Sequence, residues 1–243
     1  MQVAAADHGR SVTAADNISP YLLKRDPYSS HSTILKMLGA GCGRSLLDLG
    51  AAQGDMAQLL TGAGFRVTAV EGDPHLAALA NDKCHRVVVA DLDKPLPRLD
   101  TEFDVAVCGD VLEHLQAPLM VLKDIKQQLK PTSLVVISVP NIAHLWMRWQ
   151  LATGRFNYMD RGILDRTHLR FFTLKSFRQL LKDAGLTILE LTATPVPLPL
   201  LVSQRYHGSV LDAVHGTSAL LARTWKTMFG YQFIATARNG DAA

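Results

Sequence analysis

A loop of small residues, Asp48 to Gly54 with the sequence DLGAAQG, carries the clearest chemical signal in the chain. Gly50 would allow a sharp exit from a strand, and Gly54 would let the backbone approach a ligand without an intervening Cβ. Ala52 is small enough to act in a similar way. Such a backbone is typical of the first strand-to-helix turn in a nucleotide-binding sheet. The loop therefore predicts a nucleotide or nucleoside site.

The spacing of the small residues separates two classes of ligand. They stand at positions 50, 52 and 54, whereas a dinucleotide fingerprint requires Gly-x-Gly-x-x-Gly. Asp55 follows them, and an anionic side chain at the start of a helix would disfavour a pyrophosphate. The spacing favours a nucleoside without pyrophosphate, and an NAD(P)-dependent oxidoreductase remains the alternative.

Two acidic residues follow the loop at intervals that suit strand ends. Glu71 lies in VEGDP and Asp91 lies in ADLD, each directly after a short apolar run. The carboxyl ends of parallel strands meet at one edge of a sheet, so both side chains are expected beside the loop. The alternative interpretation is that both are ordinary exposed charges.

Short apolar runs alternate with segments of helical period from Ser45 onward, which predicts an α/β fold with helices on both faces of a mostly parallel sheet. The predicted strands are 46–49, 66–71, 85–89, 103–108, 134–139, 187–191 and 232–237. The predicted helices are 54–61, one beginning at Pro74, 117–129, 141–153 capped by Asn141, and one capped by Thr173.

The ends of the chain and one long connection do not fit this alternation. Residues 1–17 lack the apolar core of a signal peptide and are expected to form a disordered tail before a single domain at 18–243. Residues 195–230 are too many for an ordinary connection and are interpreted as an insertion that forms a cap or an interface, through which a homodimer could form.

Composition excludes several classes of protein. The chain has 243 residues, 48% of them hydrophobic, and a formal charge of only +3 without a basic cluster, so we expect no nucleic-acid partner. The 3 cysteines form no zinc-binding spacing, and no apolar run is long enough to span a membrane. No catalytic metal is expected, and a metal held by Asp110 and Glu113 remains the alternative. We expect a cytoplasmic protein.

Four segments in this order resemble the class I S-adenosylmethionine-dependent methyltransferases, particularly the bacterial group that includes the ubiquinone-pathway O-methyltransferases. They are DLGAAQG, VEGDP, ADLD and CGDVLEHL, and the resemblance spans roughly 28–191. Ala52 departs from the family's Asp-x-Gly-x-Gly-x-Gly. The resemblance implies a Rossmann-like, doubly wound, seven-stranded sheet that is mostly parallel with an antiparallel last strand.

The resemblance also implies a set of residues that bind S-adenosylmethionine. Glu71 would accept hydrogen bonds from the ribose hydroxyls, Asp91 would meet the adenine amino group, and the segment around Tyr28 would form a lid. The full set is Tyr28, His31, Asp48, Gly50, Ala51, Ala52, Gly54, Glu71, Gly72, Asp91, Leu92, Cys108 and Gly109. For Tyr28, ordinary aromatic packing is the alternative.

Two histidines are candidates for a general base, because the unperturbed pKa of histidine lies near neutral pH. His114 follows Glu113 after the fourth strand, and His168 lies in HLRFFT, a stretch similar to one in the family. We expect His114 to line the site slightly more readily than His168. In the alternative, both histidines only shape loops, and Phe171 and Phe172 are core residues.

The residues predicted to bind the acceptor are Glu113, Asn141, His144, Trp146 and Arg170. The helix after Asn141, which carries His144, Trp146, Met147 and Trp149, permits a lipid-like or aromatic acceptor together with the apolar segment 195–202. The alternative is that these aromatic residues are core, as is more common at helical spacing. The sequence thus predicts methyl transfer to a small or medium-sized acceptor, preferably at a hydroxyl oxygen. A non-catalytic binding module of the same fold remains an alternative.

Overall fold

Seven strands form one sheet in the computed structural model, which describes residues 26–239. The predicted tail at 1–17 lies outside the described residues. The strands are β1 Ser45–Leu49, β2 Arg66–Glu71, β3 Arg86–Val89, β4 Phe103–Gly109, β5 Leu129–Pro140, β6 Leu186–Thr194 and β7 Gln232–Asn239. Their order is β3-β2-β1-β4-β5-β7-β6. β7 runs antiparallel to both β5 and β6, which confirms the doubly wound sheet and its antiparallel last strand.

Helices follow most of the strands, as the alternation predicts. They are α1 Ser30–Leu38, α2 Asp55–Gly62, α3 Pro74–Ala80, α4 Pro118–Lys126, α5 Leu145–Ala152, α6 Leu174–Asp183, α7 Leu198–Leu201, α8 Ser209–Thr224 and α9 Lys226–Phe229. Asp73 accepts hydrogen bonds from two amides of the first turn of α3. The Thr173 side chain accepts one from the Ser176 amide in α6, and the Ser176 side chain accepts one from the Thr173 amide. Both caps satisfy N–H groups that have no partner within the helix.

The core lies on both faces of the sheet because successive residues of a strand point to opposite sides. Leu46 of β1 packs in a cluster with Ile34 of α1 and Leu60 of α2. Leu47, the next residue, packs in a second cluster that includes Leu122 of α4 and residues of α6. Helices therefore cover both faces, and the sheet is held rigid between them.

Two helix boundaries differ from the prediction. The helix predicted to reach residue 129 ends at Lys126, and Leu129 already pairs with Phe103 in the sheet. The helix predicted to start at Asn141 starts at Leu145, where His144 Nδ1 accepts a hydrogen bond from the Trp146 amide at 3.2 Å. Helical periodicity could not locate the first boundary, because an apolar residue such as Leu129 suits the end of a helix and the start of a strand equally well. The second boundary differs because His144, not Asn141, caps the helix.

The long connection at 195–230 contains α7, α8 and α9. It joins the end of β6 to the start of β7, and that point lies at the edge of the sheet where β1 and β4 also end. Within residues 26–239, no helix combines the length and the apolar character needed to cross a lipid bilayer. The division into a tail, one domain and an insertion stays a prediction.

Candidate functional site

Gly50 makes the turn at the end of β1 that the sequence predicts. Its φ of 66° lies in the left-handed region, and its amide donates to the Val70 carbonyl at 2.9 Å. A Cβ at this position would lie 2.6 Å from Val111 Cγ2. The turn therefore requires glycine both for the backbone conformation and for the packing of the loop after β4.

Gly54 has a packing role that the sequence does not indicate. A Cβ there would lie 2.8 Å from Ala80 Cβ, so the missing side chain makes room for α3, and a contact of Gly54 with a ligand stays a prediction. Ala52, where the family has glycine, holds a φ of 48°. Alanine in this left-handed conformation costs on the order of 1 kcal/mol, and the hydrogen bond of its amide to Glu71 offsets part of this cost.

Glu71 stands at the end of β2 with both carboxylate oxygens fixed. Oε2 accepts a hydrogen bond from the Ala52 amide at 2.7 Å, and Oε1 accepts one from the Asp73 amide at 2.9 Å. Each oxygen retains a further lone pair. The two amides fix the orientation of the carboxylate, and a contact with the ribose hydroxyls, which the family resemblance implies, stays a prediction.

Asp48 is a buried carboxylate one residue before the end of β1. It is 3% exposed, and its Oδ2 atom has no hydrogen-bond partner. Burial raises the pKa of Asp48 to about 7, and the nearby charge of Glu71 adds to this rise. An unsatisfied buried carboxylate is costly for the folded protein, and a cationic ligand would offset this cost.

Asp55 at the start of α2 has a close partner that the sequence does not indicate. Lys83 Nζ lies 2.7 Å from Asp55 Oδ1, and Gln53 donates to Oδ2. Burial opposes ionisation here, but these hydrogen bonds outweigh it and hold the pKa of Asp55 below its usual value. The argument against a pyrophosphate from Asp55 is therefore weak, because Lys83 neutralises the charge.

The predicted residues Asp91 and Leu92 follow the carboxyl end of β3, and their contact with a cofactor stays a prediction. Asp91 is exposed; its Oδ1 accepts the Asp93 amide, and its Oδ2 pairs with Lys94 at 3.2 Å. Leu92 is buried. A Cβ at Gly72 would lie 3.8 Å from Asp91 Cα, so the ends of β2 and β3 are in contact.

Asp110, directly after β4, lies beside the predicted site, although the sequence did not place it among the predicted cofactor or acceptor residues. Its carboxylate accepts hydrogen bonds from Ser138 at 2.6 Å and from Gln232 at 2.7 Å, and Ser30 lies 3.5 Å away. Its φ of 57° is rare outside glycine, although Asp tolerates it better than most residues. Its place after a strand end, like that of Glu71, was the available signal.

The segment 28–31 lies across this edge of the sheet. Ser30 faces Asp110, while His31 lies close enough to Asp55 for its charge to lower the pKa of that carboxyl further. Tyr28 contacts the ring of His215 on α8, with centroids 5.1 Å apart. The segment therefore spans the ends of β1 and β4, as a lid would, but Tyr28 packs against the insertion.

Three predicted residues form one group, named here the histidine cluster: Glu113, His114 and His168. One carboxylate oxygen and one ring nitrogen from each histidine lie within 4.8 Å of one another, and the two rings are 4.8 Å apart. Among the residues that the structure describes, this is the group able to hold a metal ion. The expectation of no metal was based on spacing in the sequence, which cannot detect this arrangement.

Several other predicted residues are occupied by structural contacts. Asn141 Nδ2 donates to the Gly230 carbonyl and its Oδ1 accepts the Ala143 amide, and Arg170 donates to the Gln116 carbonyl. His144 caps α5, and burial lowers its pKa below the usual range. These contacts position the loops around the site, so a direct contact with an acceptor stays a prediction for each.

Three of the remaining predictions concern packing. Trp146 is 53% exposed, so the alternative that it is a core residue is wrong. Phe172 is buried in the main core, whereas Phe171 is only partly buried beside α5. Cys108 is buried within the same core, and burial raises its pKa far above the usual value, so it is not a reactive thiol.

The site as a whole fits a cationic nucleoside with many donor groups. Asp48, Glu71, Asp91 and Asp110 all supply carboxylates at the carboxyl ends of β1 to β4. S-adenosylmethionine presents ribose hydroxyls, an adenine amino group, an ammonium group and a sulfonium, and it lacks a phosphate. Its donors match these acceptors, and Asp48 supplies a buried carboxyl oxygen, Oδ2, without a hydrogen-bond partner.

The chain is similar in sequence to methyltransferases along most of its length. A family model described as "Methyltransferase domain" matches residues 7–191. A Mycobacterium tuberculosis protein named "Probable S-adenosylmethionine-dependent methyltransferase" is 26% identical over 84% of this chain and 68% of its own length. The ubiquinone biosynthesis O-methyltransferase of Rickettsia canadensis is 26% identical over 60% of this chain and 64% of its own.

The fold agrees with these matches. A crystal structure of an S-adenosylmethionine-dependent methyltransferase from Archaeoglobus fulgidus aligns with a TM-score of 0.57 and 19% identity, covering 86% of this chain and 95% of that one. The chain belongs to the methyltransferase domain family and is a class I S-adenosylmethionine-dependent methyltransferase.

Proposed function

We propose that this methyltransferase acts on a hydroxyl oxygen of a small or medium-sized acceptor, with His168 as the general base. The observation that carries the proposal is that the buried His168 lies beside Glu113 and His114. Glu113 and His114 follow the end of β4, and His168 lies in the loop before α6. When bound, the cofactor supplies an activated methyl group, so the protein has to align the acceptor and remove its proton. The O-methyltransferase names among distant relatives support the same choice.

The hydrogen bond of His168 determines which ring nitrogen can act. Nδ1 lies 3.0 Å from the Ile163 carbonyl, and a carbonyl only accepts, so Nδ1 carries the proton. Nε2 is then the nitrogen with a lone pair. Burial lowers the pKa of His168 below its usual range. The ring is therefore neutral at pH 7, in the form that accepts a proton from a hydroxyl group.

His114 is held by a short chain of hydrogen bonds. Thr167 Oγ1 lies 2.7 Å from Asp165 Oδ1 and 3.0 Å from His114 Nδ1. Because the carboxylate can only accept, the threonine hydroxyl donates to Asp165 and accepts from His114 Nδ1–H. This chain orients the His114 ring against His168. We assign His114 to positioning the base and the acceptor, whereas the sequence left open which of the two histidines is the base.

The test compares His168→Ala with His75→Ala, a matched control on the exposed start of α3. Isotopically labelled S-adenosylmethionine and a panel of phenols, alcohols and amines report turnover and the methylated atom by mass spectrometry. We expect His168→Ala to lower turnover about 100-fold or more, while the dissociation constant of S-adenosylhomocysteine stays within about two-fold. Methylation of amines alone, or full turnover by the variant, would contradict the proposal.

An exposed apolar face of α8 supports a second part of the proposal, a homodimer formed through 195–230. Val210, Val214 and Leu221 of α8 are 41% to 78% exposed, and their spacing places them on one side of the helix. Trp225, the C-cap residue of α8, is 55% exposed. Contiguous exposed apolar residues mark interaction surfaces. Light scattering of the wild type and of Val214→Glu tests this: a dimer that the substitution converts to a monomer is expected, and a wild-type monomer would refute it.

A further inference from the structure

A buried acid–base pair joins two segments that are far apart in the chain. His215 Nε2 lies 2.8 Å from Asp26 Oδ2, and their side chains are only 4% and 3% exposed. Asp26 begins the segment before α1, whereas His215 lies on α8, 189 residues later. Two polar side chains are rarely buried together unless their contact matters to the folded state.

The inward face of α8 consists of small residues apart from His215. His215, Ala219 and Ala222 are the buried residues of this helix, and their spacing of four and three places them on one side. The alanines allow the helix to approach the protein closely, and His215 is the polar group on that face. Because a carboxylate only accepts hydrogen bonds, His215 Nε2 donates to Asp26.

Asp26 uses its remaining acceptors to shape the lid segment. Its Oδ1 atom accepts the Tyr28 amide at 2.9 Å, and its carbonyl accepts the Ser29 amide at 3.0 Å and the Ser32 hydroxyl at 2.8 Å. The Tyr28 ring also lies edge-on against His215. Residues 26–32 therefore form one hydrogen-bonded turn, and His215 holds it from α8.

The same turn places the lid over the cofactor edge of the sheet. Ser30, four residues after Asp26, faces Asp110 at the end of β4, and His31 lies beside Asp55 at the start of α2. We infer that Asp26 and His215 are positioning residues for cofactor binding, which act by anchoring the lid 28–31 to the inserted helix α8. The inference rests on the cofactor and not on the proposed acceptor.

This anchoring gives the insertion a function in the cofactor half of the site. A ligand or partner that moved α8 would move His215 and release the turn at Asp26, so events at the insertion and cofactor affinity would be coupled. The coupling passes through one residue, His215, whose hydrogen bond to Asp26 a substitution can remove. It therefore makes a specific prediction for variants of His215.

The experiment uses His215→Phe, which keeps an aromatic ring beside Tyr28 but removes the N–H donor. We expect the dissociation constant of S-adenosylhomocysteine, measured by calorimetry, to rise about ten-fold. The reason is that part of the binding free energy would then be used to order the lid. Hydrogen exchange of the unliganded protein should accelerate in residues 28–33 and stay unchanged in β4 and β5. His215→Gln, which retains an N–H donor, should recover most of the affinity.

His207→Phe is the matched control, because His207 is an exposed histidine of the same insertion. It should leave both measurements unchanged. The inference is overturned if His215→Phe exchanges like the wild type in residues 28–33, or if its affinity is unchanged. It is also overturned if His215→Phe and His215→Gln impair binding equally, or if exchange accelerates throughout the sheet, since either would indicate general destabilisation. The exchange measurement stands even if no acceptor is found.

Discussion

Replacing Asp48 by asparagine should stabilise the unliganded protein while weakening cofactor binding. Burial raises the pKa of Asp48 from 3.8 to about 7. The folded state therefore holds a proton there that the unfolded state has released between these two pH values. The unfolded state binds fewer protons in this window, so the stability of the wild type falls as pH rises from about 4 to about 7.

The magnitude follows from the size of the shift. At about 1.4 kcal/mol per pKa unit, the rise from 3.8 to about 7 costs the folded protein about 4 kcal/mol once Asp48 is ionised. Asparagine removes the charge, but the folded protein loses about 1 to 3 kcal/mol of stability if the asparagine amide finds no hydrogen-bond partner. That loss does not depend on pH. The stability advantage of Asp48→Asn should therefore grow by about 2 to 3 kcal/mol between pH 5 and pH 8.

Urea unfolding of the wild type and of Asp48→Asn at pH 5 and pH 8 measures this difference. Asp82→Asn, which removes an exposed carboxylate, is the control for the loss of one negative charge. In the same preparations, Asp48→Asn should bind S-adenosylmethionine more weakly at pH 8, because a buried anion for the cationic ligand is lost. If the stability advantage is the same at both pH values, the pKa of Asp48 is not raised and the reasoning is refuted.

Three further predictions concern the rest of the site. Glu71→Ala should weaken S-adenosylhomocysteine binding at least about ten-fold, or 1.4 kcal/mol, whereas Glu190→Ala on β6 should not; an unchanged dissociation constant for Glu71→Ala would contradict the ribose assignment. In thermal unfolding, Gly50→Ala should cost about 1 to 3 kcal/mol of stability, because of the positive φ at this position and the contact of the new Cβ with Val111. Gly62→Ala, whose Cβ meets open space, is the control and should be neutral or stabilising. EDTA treatment should leave turnover unchanged if the histidine cluster acts by proton transfer, and a loss of turnover that zinc or manganese restores would assign that cluster to a metal instead.

The fold and the cofactor end of the site were predictable from local patterns. Alternating apolar runs predict the strands to within a few residues, because burial on both faces of a parallel sheet needs continuous apolar sequence. Glu71 and Asp91 were identified from their places at strand ends, and the topology brings those ends together. The turn at Gly50 was also predictable from a local pattern, because a sharp turn directly after a strand favours glycine.

Tertiary structure alone decided the features that depend on distant contacts. Asp26 and His215 gave no local signal, since nothing in the sequence relates two residues 189 positions apart. The role of Gly54 beside α3, and the neutralisation of Asp55 by Lys83, also depend on packing between elements. Short-range periodicity determined which segments form the sheet and its first loop. Burial and hydrogen bonding between distant segments determined which of the polar side chains can act.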